Sequence, residues 1–327
     1  MGASKRIVCM VGLTMLGLGL SIPGHGQDRY PSRAVEIVIP WAAGGSTDVS
    51  GRIFANELTK ILKVPITSSN RVGASGTVGA TYVHKARKDG YTLLGGSLGW
   101  LLSSVTLEGV VYDPLKDFIP VTKISNAPHG IFVKSDSPIK TLEDFVDRAK
   151  KNPGVLSCGH AGTASDGHFN IEIFQRAAAI QLKVVPFKGN AEIPPVILGG
   201  HVDVGIGIAS SWMNLVKAGN LRILGITGDN RLKDLPEVPT FKEKGFKQTF
   251  LINWVGLFPP AGVPQAVVDT LAQASEKVVK SKEFIEAIEK TGSSAEFLTP
   301  EQYKKVLEDE KVVAEKIALE LGLKKGK

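Results

Sequence analysis

Residues 40 to 52 read Pro-Trp-Ala-Ala-Gly-Gly-Ser-Thr-Asp-Val-Ser-Gly-Arg, and the donors in that run could hold an anion. Gly44 and Gly45 permit close backbone approach, while Ser46 and Thr47 bring hydroxyls together with N–H groups. The run follows an apolar, β-branched stretch, Val35 to Ile39, which stops at Pro40, a residue with no N–H for a sheet ladder. Val49, Ile53, Leu58 and Leu62 then recur at helical spacing. A strand therefore turns into a helix, and free first-turn N–H groups favour negative charge by roughly 0.3–2 kcal/mol. Many α/β proteins keep such a Gly-rich turn for packing alone, and these residues by themselves do not separate the two uses.

Catalytic and metal-binding patterns are sparse. Beyond residue 26 the histidines are His84, His129, His160, His168 and His201, none in an HExxH arrangement, and Cys158 is the lone cysteine. Gly-x-Ser-x-Gly is absent, since Gly73-Ala74-Ser75-Gly76 has the wrong spacing, and no Walker loop or dinucleotide turn follows a strand. His160 and His168 with Asp166 form a weak metal pattern only. No catalytic residue, metal or cofactor is expected.

Residues 1 to 26 combine Lys5 and Arg6, an apolar stretch from Ile7 to Leu20 and a small-residue end, the pattern of a secretory signal peptide cleaved near Gly26. Removing Lys5 and Arg6 takes the formal net charge from +7 to +5. The remaining bases are interleaved with acids, so no nucleic-acid partner is expected. Cys9 leaves with the signal, and Cys158 alone cannot form an intramolecular disulfide. About 300 mature residues can build their own core and suggest two domains.

Strand-like runs at 35–39, 91–95, 119–123, 130–134, 183–187, 203–208 and 222–226 alternate with helical patterns. The helical patterns fall at 47–62, 75–87, 141–150, 166–179, 190–199, 209–218, 264–280 and 300–321. This alternation predicts an α/β fold with largely parallel sheets. In the last helix Val306, Val313, Ile317 and Leu321 form the expected apolar face.

A longer series of motifs spans nearly the whole mature chain. It runs from Tyr30-Pro31-Ser32-Arg33 and Gly44-Gly45-Ser46-Thr47-Asp48 through Asn70-Arg71, Asp89-Gly90-Tyr91-Thr92 and Tyr112-Asp113-Pro114. It continues with Val185-Pro186-Phe187-Lys188-Gly189, Leu198-Gly199-Gly200-His201-Val202-Asp203, Leu235-Pro236-Glu237-Val238-Pro239 and Pro260-Ala261-Gly262. In order and spacing it resembles the extracytoplasmic solute receptors of the tripartite tricarboxylate transporters, the Bug receptors. The resemblance implies a two-domain periplasmic binding protein, a type II-like clamshell with crossing strands between its domains. The first domain would combine residues 28–125 with 245–327, and the second would hold 126–244. It also implies a monomeric receptor for a small organic carboxylate, serving integral membrane transporter subunits in the periplasm. Ala42-Ala43 and Gly73-Ala74-Ser75-Gly76 depart from that family's usual Pro-Pro or Pro-Gly and Gly-Ala-Gly-Gly.

On this reading the ligand is held by backbone N–H groups, hydroxyls and ordered waters. Gly44, Gly45, Ser46 and Thr47 form one jaw, with Trp41 beside it and Asp48 either capping the first turn or accepting from a bridging water. The opposite jaw is the turn from Gly162 and Thr163 through Ser165 to His168, a family Ser-x-x-His match in which His168 either donates to ligand or packs beneath the loop. Ser97, after the strand through Leu94, falls where ligands gather outside the carboxyl ends of strands. Asp203 opens a strand that leads to a cleft wall in the family, and Lys188 is a nearby cation that could equally face solvent. Trp41, Gly205 and Gly207 tilt the expected ligand towards larger or aromatic acids. Competing readings are a carboxylate receptor that reports to a sensor kinase and an exported enzyme on the same scaffold.

Overall fold

The protein is described by a computed structural model covering residues 30–323, so the signal peptide expected at 1–26 lies outside the described residues. The first sheet contains β1 (Val35–Ile39), β2 (Ile66–Asn70), β3 (Thr92–Ser97), β4 (Thr122–Ala127), β10 (Asn253–Phe258) and β11 (Ser294–Ala295), in the order β11-β4-β10-β3-β1-β2. The second contains β5 (His129–Lys134), β6 (Ser157–His160), β7 (Lys183–Pro186), β8 (Val204–Ile208) and β9 (Leu221–Ile226), in the order β7-β6-β8-β5-β9.

The expectation of largely parallel sheets needs correction, because both sheets are mixed. β2, β1 and β3 run parallel, as do β7, β6 and β8, whereas β10 is antiparallel to β3 and β4, and β5 is antiparallel to β8 and β9. The cause is the crossing of the chain between lobes. Pro128 alone separates β4 from β5, and the return segment 227–252 leads into β10. A strand arriving from the other lobe enters its sheet at the cleft end, and so runs against strands that finish there.

Alternation along β1 divides two cores. Val35, Ile37 and Ile39 pack with Phe54 and Leu58 of α1 (Ser46–Leu62), Leu271 of α8 (Gln265–Val279) and Phe284 of α9 (Lys282–Glu289). Val38 faces the other way, into a core built by Val83 of α2 (Thr77–His84), Leu101 of α3 (Leu98–Thr106) and Tyr303 of α10 (Pro300–Glu320). Complete burial of a side chain such as Phe54 contributes about 1.5–3 kcal/mol. The phase of α10 differs from the expected stripe: Tyr303, Leu307, Ala314, Ile317 and Ala318 are buried, while Val313 is 38% exposed. Gly256 sets this phase, since an ideal Cβ there would lie 2.2 Å from Tyr303 Oη.

The second sheet is covered on one face by α4 (Leu142–Lys151) and α5 (Asp166–Ala178), whose Phe145 and Phe174 rings stack at 5.9 Å. Its other face carries α6 (Ile193–Leu198) and α7 (Ala209–Lys217), anchored by Ile193, Ile197 and Trp212. Cys158 is fully buried in the α4–α5 core as a small apolar residue.

Candidate ligand-binding site

Strands β1, β3 and β8 end at one cleft and lead into α1, α3 and α7, while β10 begins there. The cleft is closed down to a cavity of about 10 Å³, room for about one water molecule. Trp41, Gly45, Ser46, Thr47, Ser97 and Asn253 line it from the first lobe, and Asp166, Gly189, Asn190 and Ile208 from the second.

The β1–α1 turn supplies the donor side. Gly45 is the N-cap of α1 and offers no side-chain acceptor, so the first-turn N–H groups have no intrahelical partner. Gly44 turns the chain at φ +77°. The Ser46 hydroxyl is buried with no hydrogen-bond partner among the described residues, and so is Asn253 Oδ1 on the cavity wall. Trp41 Nε1 donates to Ser97 Oγ at 2.8 Å, which ties the turn to the end of β3. Its indole lies over the start of α3, where an ideal Cβ on Gly99 would come within 2.8 Å of the ring.

Asp48 is not part of the cavity wall and takes the first-turn capping one of its two expected roles rather than a ligand contact. Its Oδ2 accepts from Gly44 N–H at 3.0 Å, and its Oδ1 accepts from Arg52 Nε at 2.9 Å and Asn70 Nδ2 at 2.8 Å. Asn70 Nδ2 also reaches Trp41 O at 2.9 Å. Burial alone would raise the Asp48 pKa, but the hydrogen bonds from Arg52, Gly44 and Asn70 outweigh it and hold the carboxyl below its ordinary range. Asp48 is thus the clasp that shapes the turn.

The opposite turn divides in the same way. Ser165 Oγ caps α5 by accepting from His168 N–H at 3.2 Å, and His168 Nδ1 accepts from Ala164 N–H at 3.2 Å. The His168 ring stacks on His160 at 4.7 Å. Burial lowers the pKa of His168; burial, with His168 alongside, pushes His160 down to about 3. Ser165 and His168 therefore build the turn from behind and do not line the cavity, which is the packing one of the two roles open to His168 and differs from the ligand contact expected of Ser165. Gly162, at φ +123°, and Thr163 do not line the cavity either, and the Thr163 carbonyl accepts from Ser75 Oγ of the other lobe. Among the described residues no group of three or more His, Cys, Asp or Glu is placed to hold a metal.

Asp203 is at the wrong end of its strand. It precedes β8, roughly 15 Å of extended chain from Ile208 at the cavity, and its Oδ2 accepts from Ser157 N–H at 2.8 Å and Ser157 Oγ at 2.6 Å. Gly205 leaves no room for a ligand either, because a Cβ there would sit 2.7 Å from the Phe132 ring. Gly207 abuts Asn190 Oδ1, at 3.1 Å from its ideal Cβ. The tilt towards large or aromatic acids consequently loses the support of Gly205 and Gly207, and only Trp41, on the wall, remains of it. Lys188 is exposed and is not part of the cavity wall.

Three polar residues of the wall were not anticipated as ligand contacts: Asp166, Asn190 and Asn253. Asp166 Oδ1 accepts from Gly167 N–H at 2.9 Å, and Oδ2 lies 3.4 Å from Nε2 of the fully buried His129. Asn190 Oδ1 accepts from Ile208 N–H at 3.3 Å. The position of Asp166 one residue after a capping serine was a usable signal, whereas Asn253 sits in a strand that the sequence pattern did not reveal.

Known proteins share this architecture. The UPF0065 protein in the gbd 5′ region of Cupriavidus necator is 32% identical over 310 residues, covering 92% of this chain and 93% of the relative. The structure of Rpa4515 from R. palustris with adipate superposes with a TM-score of 0.86 at 28% identity, covering 90% of this chain and 98% of that one. MatC from Rhodopseudomonas palustris with bound malate gives a TM-score of 0.83 at 28% identity, covering 88% of this chain and 99% of that one. Both sheets, the crossing segments and the cleft thus belong to a two-domain periplasmic-binding-protein fold. The sequence model of the tripartite tricarboxylate transporter family receptors matches residues 51–323, and the chain belongs to that family.

Proposed function

We propose that this chain is a monomeric periplasmic receptor that captures a small organic carboxylate between its lobes and presents the closed form to integral membrane transporter subunits. The lobes are residues 28–125 with 245–327 and residues 126–244, and the mature chain begins after cleavage near Gly26. Ser46, Thr47 and Ser97 form the donor wall, shaped by Gly45 and Trp41, whose own N–H groups are taken by the Ala42 carbonyl and Ser97 Oγ, and Gly162 and Thr163 belong to the turn that meets Ser75 across the lobes. The observation that carries this reading is the Ser46 hydroxyl, 2% exposed and unpartnered, beside the open first turn of α1. A carboxylate leaving water needs comparable hydrogen bonds in return, and a helix start with a free hydroxyl provides them. The adipate- and malate-bound relatives support the same ligand class. Among the described residues of the wall no hydroxyl is hydrogen-bonded to a His, Asp or Glu side chain, and the chain is proposed to bind without turnover.

Closure is favoured because a ligand touching both lobes binds the closed form better than the open one. A thermal-shift screen over mono-, di- and tricarboxylates tests the reading. A ligand at 100 times its dissociation constant stabilises by about 2.7 kcal/mol, a clear rise in melting temperature. A flat response to the whole panel would overturn the carboxylate assignment. Delivery is tested by carboxylate uptake in cells that express the receptor with and without the membrane subunits.

A further inference from the structure

Among the described residues, Asp166 is the only ionisable side chain on the cavity wall, and it is 3% exposed. Ser165 caps the helix immediately before it and the His168 turn braces that cap, so the direction of Asp166 is fixed by its surroundings. One oxygen takes the Gly167 N–H at 2.9 Å, and the other has the His129 Nε2 contact at 3.4 Å. No lysine or arginine lines the cavity. A carboxylate can accept about four hydrogen bonds, so Asp166, on the cavity wall, keeps accepting capacity beyond these two contacts. Across from it stand the unpartnered Ser46 hydroxyl and the α1 first turn, which donate; Asn253, 1% exposed, adds an amide oxygen without a partner.

The cavity is therefore two-faced, donating at α1 and accepting at Asp166. An anionic group fits the first face. A second anionic group against Asp166 would bring like charges together with no lysine or arginine on the described wall to offset them, whereas a hydroxyl or ammonium would donate into it. Resting on the carboxylate-receptor reading above, we infer that Asp166 makes this receptor select organic acids that carry a hydroxyl or ammonium donor beside their carboxylate. The same residue disfavours the unsubstituted dianion of equal length.

The test is isothermal titration of the mature full-length chain at neutral pH with two matched series. One is succinate, malate and aspartate; the other is adipate, 2-hydroxyadipate and 2-aminoadipate. The wild type is expected to bind a hydroxy or amino acid at least about tenfold more tightly than its unsubstituted counterpart, the discrimination of a site built to pair a donor. Asp166→Asn is expected to bring that ratio within about threefold, chiefly by tighter binding of the unsubstituted diacid. Asp166→Ser, which keeps a residue suited to a helix start, should do the same. Equal wild-type affinities within each series would overturn the inference without recourse to any variant, as would a ratio that survives both substitutions. If the wild type binds no acid, the carboxylate reading itself falls; binding without discrimination removes only the role of Asp166.

Discussion

At the residue scale, a buried hydroxyl without a partner penalises the folded chain and becomes an asset when a ligand arrives. Ser46 is such a group, so Ser46→Ala should separate stability from binding. The ligand-free melting temperature is expected to stay level or rise slightly, because no existing hydrogen bond is lost. Affinity for the carboxylate found in the screen should fall by about 1.5–3 kcal/mol, roughly ten- to a hundredfold, the worth of a hydrogen bond to a charged group. Unchanged affinity by titration calorimetry would remove Ser46 from the site. The donor turn was legible because Gly, Ser and Thr between a strand and a helix leave few other uses for their N–H groups. Asp48 and His168 take the structural one of the two roles open to each, and Ser165 caps α5, since residue type and spacing locate a side chain without saying which way it points. Asp203 was avoidable: the rule that puts Ser97 at the carboxyl end of β3 also puts Asp203 at the far end of β8.

At the element scale, sequence periodicity finds most of the helices that cover the sheets, passes over the short α9, and loses the elements whose pattern is masked. β2 reads Ile-Thr-Ser-Ser-Asn with one buried residue, an edge strand without alternation. β10 is buried at all six positions, so it has no polar face to mark a period of two. α3 begins in a Gly-Gly-Ser-Leu-Gly stretch that resembles a turn, yet Gly99 is there to admit the Trp41 indole. The seating of α10 on β10 carries its own prediction. Trp254 Nε1 donates to Glu310, whose carboxyl is pushed up to about 7 by burial. A group with pKa raised from 4.5 to about 7 on folding binds more protons folded than unfolded between those values. Stability from this site therefore declines as pH rises across that interval, by up to about 3 kcal/mol in full above it. Glu310→Gln keeps an oxygen for Trp254 but cannot ionise. It should raise the melting temperature by several degrees at pH 8 and leave it nearly unchanged at pH 4, and an equal effect at both values would rule out titration as the cause.

At the scale of the whole molecule, alternating strands and helices announced an α/β protein, and the family motifs implied two lobes. The mixed sheets followed from a fact that no local pattern carries, namely that the chain crosses between lobes and must enter each sheet backwards. Closure also depends on contacts made between distant segments: Gly189 approaches Ala42, with an ideal Cβ 3.5 Å from the alanine Cβ, and Ser75 Oγ donates to the Thr163 carbonyl. The Ser75 latch is held in strained backbone. Ala74 and Ser75 have φ of +43° and +50°, a left-handed conformation that costs an L-residue about 1–2 kcal/mol. Ser75→Gly relieves that strain while deleting the cross-lobe hydrogen bond, so the two effects offset one another in the overall melting temperature. They do not offset in the open–closed equilibrium, because the bond exists only when the lobes meet. The ligand-free variant should therefore scatter X-rays with a larger radius of gyration than the wild type, and ligand should restore the compact value. Its apparent affinity should weaken by about 1 kcal/mol, roughly fivefold, since part of the binding free energy now goes into closing the lobes. Identical scattering and identical affinity in the two proteins would show that Ser75 does not act as a latch, leaving closure to the ligand and the cavity wall.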